Sequence, residues 1–415
     1  MSQTTEQPTP PTDAAPENAR RLLVLIGVVV GVIVLSLVTG AFAAVAFVLA
    51  IIASVLIHEG GHFLAARKAG MKATEYFVGF GPRLWSIRKG ETEYGVKAIP
   101  AGGYVKILGM SSMEKGIDPA DEPRTYRRAT YPRKLAVTAA GVVMHFVIAF
   151  VLLMVVWTLV GVPNGDKPLL EIGSISKLKS GPSPAEQAGF KLGDTIVSVD
   201  GRAIASWKEL PPYIRARPGQ TITFVVDRDG QRVTLEATPV NGNPKGEKVG
   251  FIGIGAKTEI ERVNPIVAVG RSAQDVGQLT VGSVKALGSF FAPGSLKDYG
   301  NQITGSQKSD PDARPISVVG VTRIANQVGL FDFFALLIML NVFFGVFNAV
   351  PLPPLDGGHV ALATYERLRS RKGKRYEADV AKLMPLTAAV LLVLVVLGAS
   401  TVLLDIVRPV ASPFR

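Results

Sequence analysis

The 415-residue chain contains no cysteine. Disulfides and thiolate metal sites are therefore excluded, and any metal ion must be held by histidine and carboxylate. Histidine is itself scarce: His58, His62, His145 and His359 are the only four. Charge is missing from one long stretch, the 36 residues from Leu22 to Ile57. That run is too long for the apolar core of a signal peptide, and no convincing cleavage site precedes His58. The chain also lacks a basic helix with interleaved aromatics, so its net charge of +12 does not read as a nucleic-acid footprint. A hydrophobic content of 48% and a mean hydropathy of +0.31 are too high for an ordinary soluble protein. The basic excess is read instead as loop charge that sets orientation in a membrane.

At the end of the charge-free run stands His58-Glu59-Gly60-Gly61-His62, a case of H-E-x-x-H. In a helix, residues four apart stack on one face, so two imidazoles can hold one zinc ion. Glu59 then lies beside the metal as a candidate general base. The run itself is too long for one span. Thirty-six helical residues reach about 54 Å, against a hydrocarbon core of about 30 Å. Two spans folding back near Thr39-Gly40 are predicted, the second carrying HEGGH near its end.

Residues 1–19 are rich in Pro, Thr, Glu and Ala and read as a disordered tail. Residues 67–134 carry 14 Lys/Arg and seven Asp/Glu, which places this loop on the cytoplasmic side. Four short strands are predicted in it, Glu75–Val78, Arg83–Arg88, Tyr94–Ile99 and Tyr104–Leu108, punctuated by glycine and proline. Residues 135–162 form another uncharged span. His145 within it is read as a polar residue packed in the bundle, with no metal geometry nearby. Residues 163–256 read as a compact β-rich domain, including strands at Thr221–Asp227 and Arg232–Ala237 joined by an Arg-Asp-Gly turn. Pro265–Leu287 has helical spacing, and 292–315 is read as loop.

Phe333–Val350 is the next span, and it runs into Asn348-Ala-Val-Pro-Leu-Pro-Pro-Leu-Asp-Gly-Gly-His359. Pro351, Pro353 and Pro354 forbid a continuous helix. Unwound backbone at membrane depth is tolerated where protein or a wet cavity covers it. Asp356 is thus an ionisable group at a costly depth, and it is the best candidate for a third zinc ligand. Asn348 is a candidate for holding an extended substrate or steadying an oxyanion. His359 is read as a residue supporting the site or the structure. Residues 366–382 are basic again, and Leu383–Leu404 is the last span. Cleaving a transmembrane helix requires its carbonyls to leave their own hydrogen bonds, and strand addition at a sheet edge within 75–108 would achieve that. Gly103 and Tyr104 are the candidate substrate-contacting residues of that sheet.

Together these residues resemble the site-2 protease family of intramembrane zinc metalloproteases. The likeness is nearest to the regulator-of-sigma-E protease branch and its actinobacterial Rip-type members. His58-Glu59-Gly-Gly-His62 matches the first family motif, and Asn348 to Gly357 matches N-x-x-P-x-P-x-L-D-G. Gly79-Phe-Gly-Pro82 and Pro100-Ala-Gly-Gly-Tyr-Val-Lys106 match the membrane-associated β-hairpin region. Ala185–Gly201 resembles a PDZ pattern. The resemblance implies His58, His62 and Asp356 as ligands of one Zn2+ and Glu59 as catalytic acid/base. It implies cleavage of single-span membrane proteins, typically anti-sigma factors already trimmed by an upstream site-1 type protease. The PDZ domain would exclude untrimmed ectodomains, and a segment near 264–327 would help gate the site. Two departures stand out: an extra span at 22–38, and Gly141-Val-Val-Met-His145, where the family often has Asn in place of His145.

The expected fold is a polytopic α-helical membrane protein of about five spans, with a four-span protease core, an extracytoplasmic PDZ domain and a small cytoplasmic membrane-associated β-sheet. The expected order is a cytoplasmic tail (1–21), an extra span (22–40), the HExxH span (41–68) and the β region (69–133). A core span (134–162), the PDZ domain (163–256) and a gating segment (257–327) follow. Then come the Asp356 span (328–365), a basic cytoplasmic loop (366–382) and the last span (383–408). The expected setting is a bacterial plasma membrane, with the lipid bilayer and no nucleic acid as partner. The alternative is a non-catalytic PDZ-bearing membrane scaffold with structural zinc; a tethered zinc peptidase with a water-facing site fails on the position of HEGGH inside the hydrophobic run.

Overall fold

The computed structural model describes residues 14–110, 114, 116–176, 178, 181–242, 247–304, 306, 316–325, 328–370 and 376–407. In chain order the N-terminal elements are helices α1 (Ala14–Val38) and α2 (Phe42–Lys68), strands β1 (Ala73–Lys89) and β2 (Thr92–Ile107), and helix α3 (Tyr131–Val155). A β-rich stretch follows: β3 (Val162–Ile175), α4 (Pro184–Gln187), β4 (Thr195–Val199), β5 (Arg202–Ala203), α5 (Leu210–Arg215), β6 (Ile222–Arg228), β7 (Gln231–Ala237), β8 (Val240–Asn241), β9 (Gly250–Phe251) and β10 (Ile254–Glu261). The remainder is helical: α6 (Pro265–Phe290), α7 (Pro293–Thr304), α8 (Val318–Ala325), α9 (Leu330–Asn348), α10 (Asp356–Arg369) and α11 (Met384–Val407). The chain divides into two compact units, one of Met1–Met154 with Val269–Ser412, the other centred on Val155–Ala268.

Among the described residues, five helices are long and apolar enough to cross a membrane: Glu17–Val38, Phe42–Lys68, Tyr131–Val160, Leu330–Asn348 and Ala381–Val407. Large apolar side chains such as Leu35, Leu392 and Val395 face outward, each more than half exposed. That suits lipid as the surrounding solvent. The break between α1 and α2 falls at Thr39–Ala41. Helix already begins at Ala14, inside the stretch expected to be a disordered tail; residues 1–13 of that tail lie outside the described residues.

The four short strands predicted at 75–108 are two continuous antiparallel strands, each bent on itself. Val78 pairs with both Gly103 and Val96, and Phe77 with both Tyr104 and Gly95. Four segments therefore lie side by side in the order 103–107, 73–78, 93–97, 83–89. Glycine bends the strand here where the sequence reading had it break the strand. Gly79 sits at φ +84°, and a Cβ there would stand 2.7 Å from the Ile99 carbonyl oxygen, so only glycine fits. At the outer edge of segment 83–89, the Asn18 amide of α1 donates to the Ser86 carbonyl and accepts from the Ser86 N–H at 3.5 Å. Tyr76 fastens the sheet to α2 by donating to the Leu56 carbonyl at 2.7 Å.

The stretch 292–315 is not all loop, because α7 occupies Pro293–Thr304. Proline suits its first turn, and Leu296, Tyr299 and Ile303 recur at helical spacing. Tyr299 is buried and its hydroxyl lies 2.8 Å from that of Ser400 on α11. Residues 307–315 lie outside the described residues, as do the basic Arg371, Lys372, Lys374 and Arg375. Helix α10 docks on the start of α3 through Lys134 and Glu366, 2.7 Å apart and both largely buried.

In the second unit, one sheet runs in the order β10-β3-β4-β6-β7, with β5 beside β4. Ile172, Ile196, Trp207, Leu210, Ile222 and Phe224 form its core. The β6–β7 hairpin turns on Asp229 and Gly230, at φ +53° and +82°, the signs that a two-residue type I′ turn demands. Asp194 is almost fully buried and takes two bonds of 2.7 Å from Arg228 and one of 2.8 Å from the Lys191 N–H.

Candidate metal centre

Helix α2 presents His58 and His62 one turn apart, and both imidazoles turn toward α3. Their Nε2 atoms are 3.2 Å apart. Asp356, the first residue of α10, closes the group. Its Oδ2 lies 3.3 Å from His58 Nε2 and its Oδ1 3.3 Å from His62 Nε2. Two ligand atoms about 2.0–2.1 Å from a tetrahedral zinc stand about 3.3 Å apart; the two imidazole nitrogens are spaced so, and each lies that far from one of the two Asp356 carboxylate oxygens.

Hydrogen bonding supports a cation at that point. His62 Nδ1 lies 2.8 Å from the Val137 carbonyl oxygen, which can only accept. The His62 proton is therefore on Nδ1, and its Nε2 lone pair faces the centre. Asp356 Oδ2 is buried with no hydrogen-bond partner. Leaving a carboxylate oxygen unpaired beside imidazole nitrogens costs several kcal/mol unless a cation satisfies it. Two nitrogens and a carboxylate suit zinc and leave the fourth position open, so the donor set fits the ion that a zinc peptidase needs.

Close backbone approach builds this cluster. A Cβ on Gly141 of α3 would fall 2.2 Å from His62 Nε2 and 2.7 Å from His58 Cε1. Facing it on α2, a Cβ on Gly61 would meet the Ala140 carbonyl at 2.7 Å. Small residues at helix crossings let membrane helices touch backbone to backbone. After Pro351, Pro353 and Pro354 end α9, Gly357 and Gly358 let α10 start tight against that turn. Added Cβ atoms would sit 2.3 Å from the Ala349 carbonyl oxygen and 2.6 Å from Pro353 N.

The remaining candidates divide. Gly103 lies against Glu59, with a Cβ position 3.3 Å from Glu59 Cγ. Tyr104 points to the opposite face, as alternation along a strand requires. Its hydroxyl donates to Glu75 and accepts from Lys97 at 2.7 Å, and its ring stacks on Phe77. Asn348 ends α9, half-buried, and makes no hydrogen bond to the three-residue group. His359 is half-buried on the first turn of α10.

His145 requires a correction. It packs in the bundle, but at the site: its ring centroid is 4.7 Å from that of His58. Asn341 and Ser54, which the sequence reading passed over, adjoin it; Asn341 Oδ1 is 3.1 Å from His145 Nδ1, and Asn341 Nδ2 is 3.2 Å from Ser54 Oγ. The available signal was their polarity inside charge-free spans.

Residues 46–395 match the model of peptidase family M50. The chain belongs to peptidase family M50. Zinc metalloprotease Rip1 of Mycobacterium tuberculosis (strain H37Rv) is 38% identical over 404 residues, covering 88% of this chain and 97% of the relative. Zinc metalloprotease Rip1 of Mycolicibacterium smegmatis is 36% identical over 401 residues, covering 88% and 98%. This M50 chain is accordingly a zinc metalloendopeptidase of the site-2 protease type. Among solved structures, the chain is similar to the PDZ domain of an SdrC-like protein from Listeria monocytogenes, at 23% identity, 21% of this chain, 87% of that chain and a TM-score of 0.18.

Proposed function

We propose that this peptidase cleaves single-span membrane proteins within the bilayer, with His58, His62 and Asp356 as zinc ligands and Glu59 as general acid–base. The observation that carries the reading is the convergence of His58 and His62, on a helix long and apolar enough to span a membrane, with the Asp356 carboxylate: the imidazole nitrogens are 3.2 Å apart and each lies 3.3 Å from one carboxylate oxygen. Zinc held by these residues supplies a Lewis acid that polarises a carbonyl and acidifies water. Glu59 takes the proton of the attacking water and returns it to the leaving amide nitrogen.

The sheet prepares the substrate. Of its two outer segments, 83–89 is bridged by Asn18 at Ser86, whereas 103–107 runs past Glu59 at Gly103. A substrate unwound along 103–107 presents its peptide bonds to Glu59. Asn348, at the end of α9, assists in holding it. The basic residues of 67–134 and 366–382 support a cytoplasmic placement of the site in a bacterial plasma membrane. The β-rich domain then lies outside as a PDZ filter, and 257–327 gates access. The substrates in this reading are anti-sigma factors already cut by a site-1 type protease.

The test is Glu59→Gln in proteoliposomes with a fluorescent single-span substrate. Turnover is expected to fall by about 10²–10⁴, with zinc retained at one per chain by elemental analysis. Undiminished turnover overturns the reading.

A further inference from the structure

His62 is oriented by a hydrogen bond to the Val137 carbonyl. His58 has the Gly141 backbone beside it, but its buried Nδ1 makes no well-aligned hydrogen bond. What lies against it is the His145 ring, at 4.7 Å and tilted 35°.

His145 is in turn fixed by a chain of bonds whose direction can be worked out. Ser54 Oγ donates to the Ala50 carbonyl at 2.9 Å, which uses its only proton and leaves its oxygen as acceptor. Asn341 Nδ2 donates to that oxygen at 3.2 Å and to the Leu337 carbonyl at 2.9 Å, which uses both amide protons. The orientation of the Asn341 amide is thereby set, and its Oδ1 faces His145. His145 Nδ1, 3.1 Å away, must carry a proton and donate it. All three side chains are at least 96% buried. They come from α2, α3 and α9, so the chain of bonds ties three spans together behind one imidazole.

The geometry points to His145 as a positioning residue that sets the plane of His58, with Asn341 and Ser54 holding His145 in turn. The assignment rests on the zinc-site reading above. It gives the two histidines of HEGGH different means of orientation: a backbone carbonyl for His62 and a buttressed ring for His58. Losing an orienting neighbour of a metal ligand typically costs about 10–100-fold in metal affinity.

The experiment compares His145→Ala, Asn341→Leu and the wild type as purified full-length chains. Zinc affinity is measured by competition with a chelator, and ligand-field geometry by the visible absorption of the cobalt-substituted protein. His145→Ala is expected to bind zinc at least about tenfold more weakly. Asn341→Leu keeps the His145 ring but removes the acceptor that orients it. It is expected to shift the cobalt bands and weaken zinc several-fold, and it carries the test if His145→Ala does not fold. Wild-type affinity together with an unaltered cobalt spectrum in the folded variants overturns the proposal. Failure of the underlying zinc reading looks different: His58→Ala would then retain zinc as tightly as the wild type.

Discussion

The His62 imidazole donates its Nδ1 proton to the backbone carbonyl of Val137, 2.8 Å away. An imidazole on one helix is thus oriented by the main chain of another, and one turn later on that second helix, Gly141 leaves room for that ring. Gly141→Ala tests this. Alanine favours helix over glycine by about 1 kcal/mol, so α3 itself is not weakened. The new Cβ would nevertheless stand 2.2 Å from His62 Nε2. Zinc affinity is expected to drop at least about tenfold with unchanged helical circular dichroism, whereas Val143→Ala, at an exposed position on the same helix, leaves zinc binding intact. Tight zinc in Gly141→Ala would show that the ligands tolerate a displaced α3.

Gly103→Val separates catalysis from metal binding. The added side chain would crowd Glu59 Cγ, 3.3 Å from the Cβ position, and the Phe77 carbonyl at 3.2 Å. Turnover is expected to fall at least tenfold, about 1.4 kcal/mol or more in the barrier, with zinc content unchanged. Equal losses of zinc and turnover would place Gly103 in the metal site.

Lys134 and Glu366 lock α10 to α3. Removing one partner strands a buried charge, and Lys134→Met is expected to destabilise by about 3–5 kcal/mol. The double variant Lys134→Met/Glu366→Met recovers much of that loss. Denaturation midpoints in detergent, assembled as a double-mutant cycle, check it; simple additivity of the two losses would deny the coupling.

Asp194 gives the β-rich unit an acid dependence. Burial alone would push its carboxyl up, but the paired bonds from Arg228 and the Lys191 N–H hold it below the usual carboxylate range. A depressed folded value means that the stabilisation is present above the unfolded pKa of about 3.9 and is lost as pH falls through the folded value. Limited proteolysis of the intact chain should show the unit opening in acid. Asp194→Asn should loosen it already at neutral pH and flatten the acid response; identical pH profiles would contradict this.

Much of the candidate metal centre was legible because its chemistry needs fixed residue types at fixed spacing. HEGGH needs only a helix, and Asp356 was marked by the prolines and glycines around it. The supporting residues were not legible in the same way. Gly141 matters for what it lacks, and the partner it spares, His62, lies on another span. His145, Asn341 and Ser54 make sense only once α2, α3 and α9 are side by side. In the sheet the strand segments were readable from alternation, but glycine bends and glycine breaks look alike in sequence. Helix α7 was hidden by Gly and Ser in its composition, although Pro293 and the spacing of Leu296, Tyr299 and Ile303 announced it.

The separation of Asp356 from the two histidines has a consequence for biogenesis. The chain is made from its N-terminus, so HEGGH enters the membrane while most of the protein is still unmade. In the proposed ligand set, the two imidazoles lack their carboxylate until Asp356, after the ninth helix and the proline turn, has been synthesised. Proteolytic competence then arrives late in synthesis, when the second half of the site joins the first.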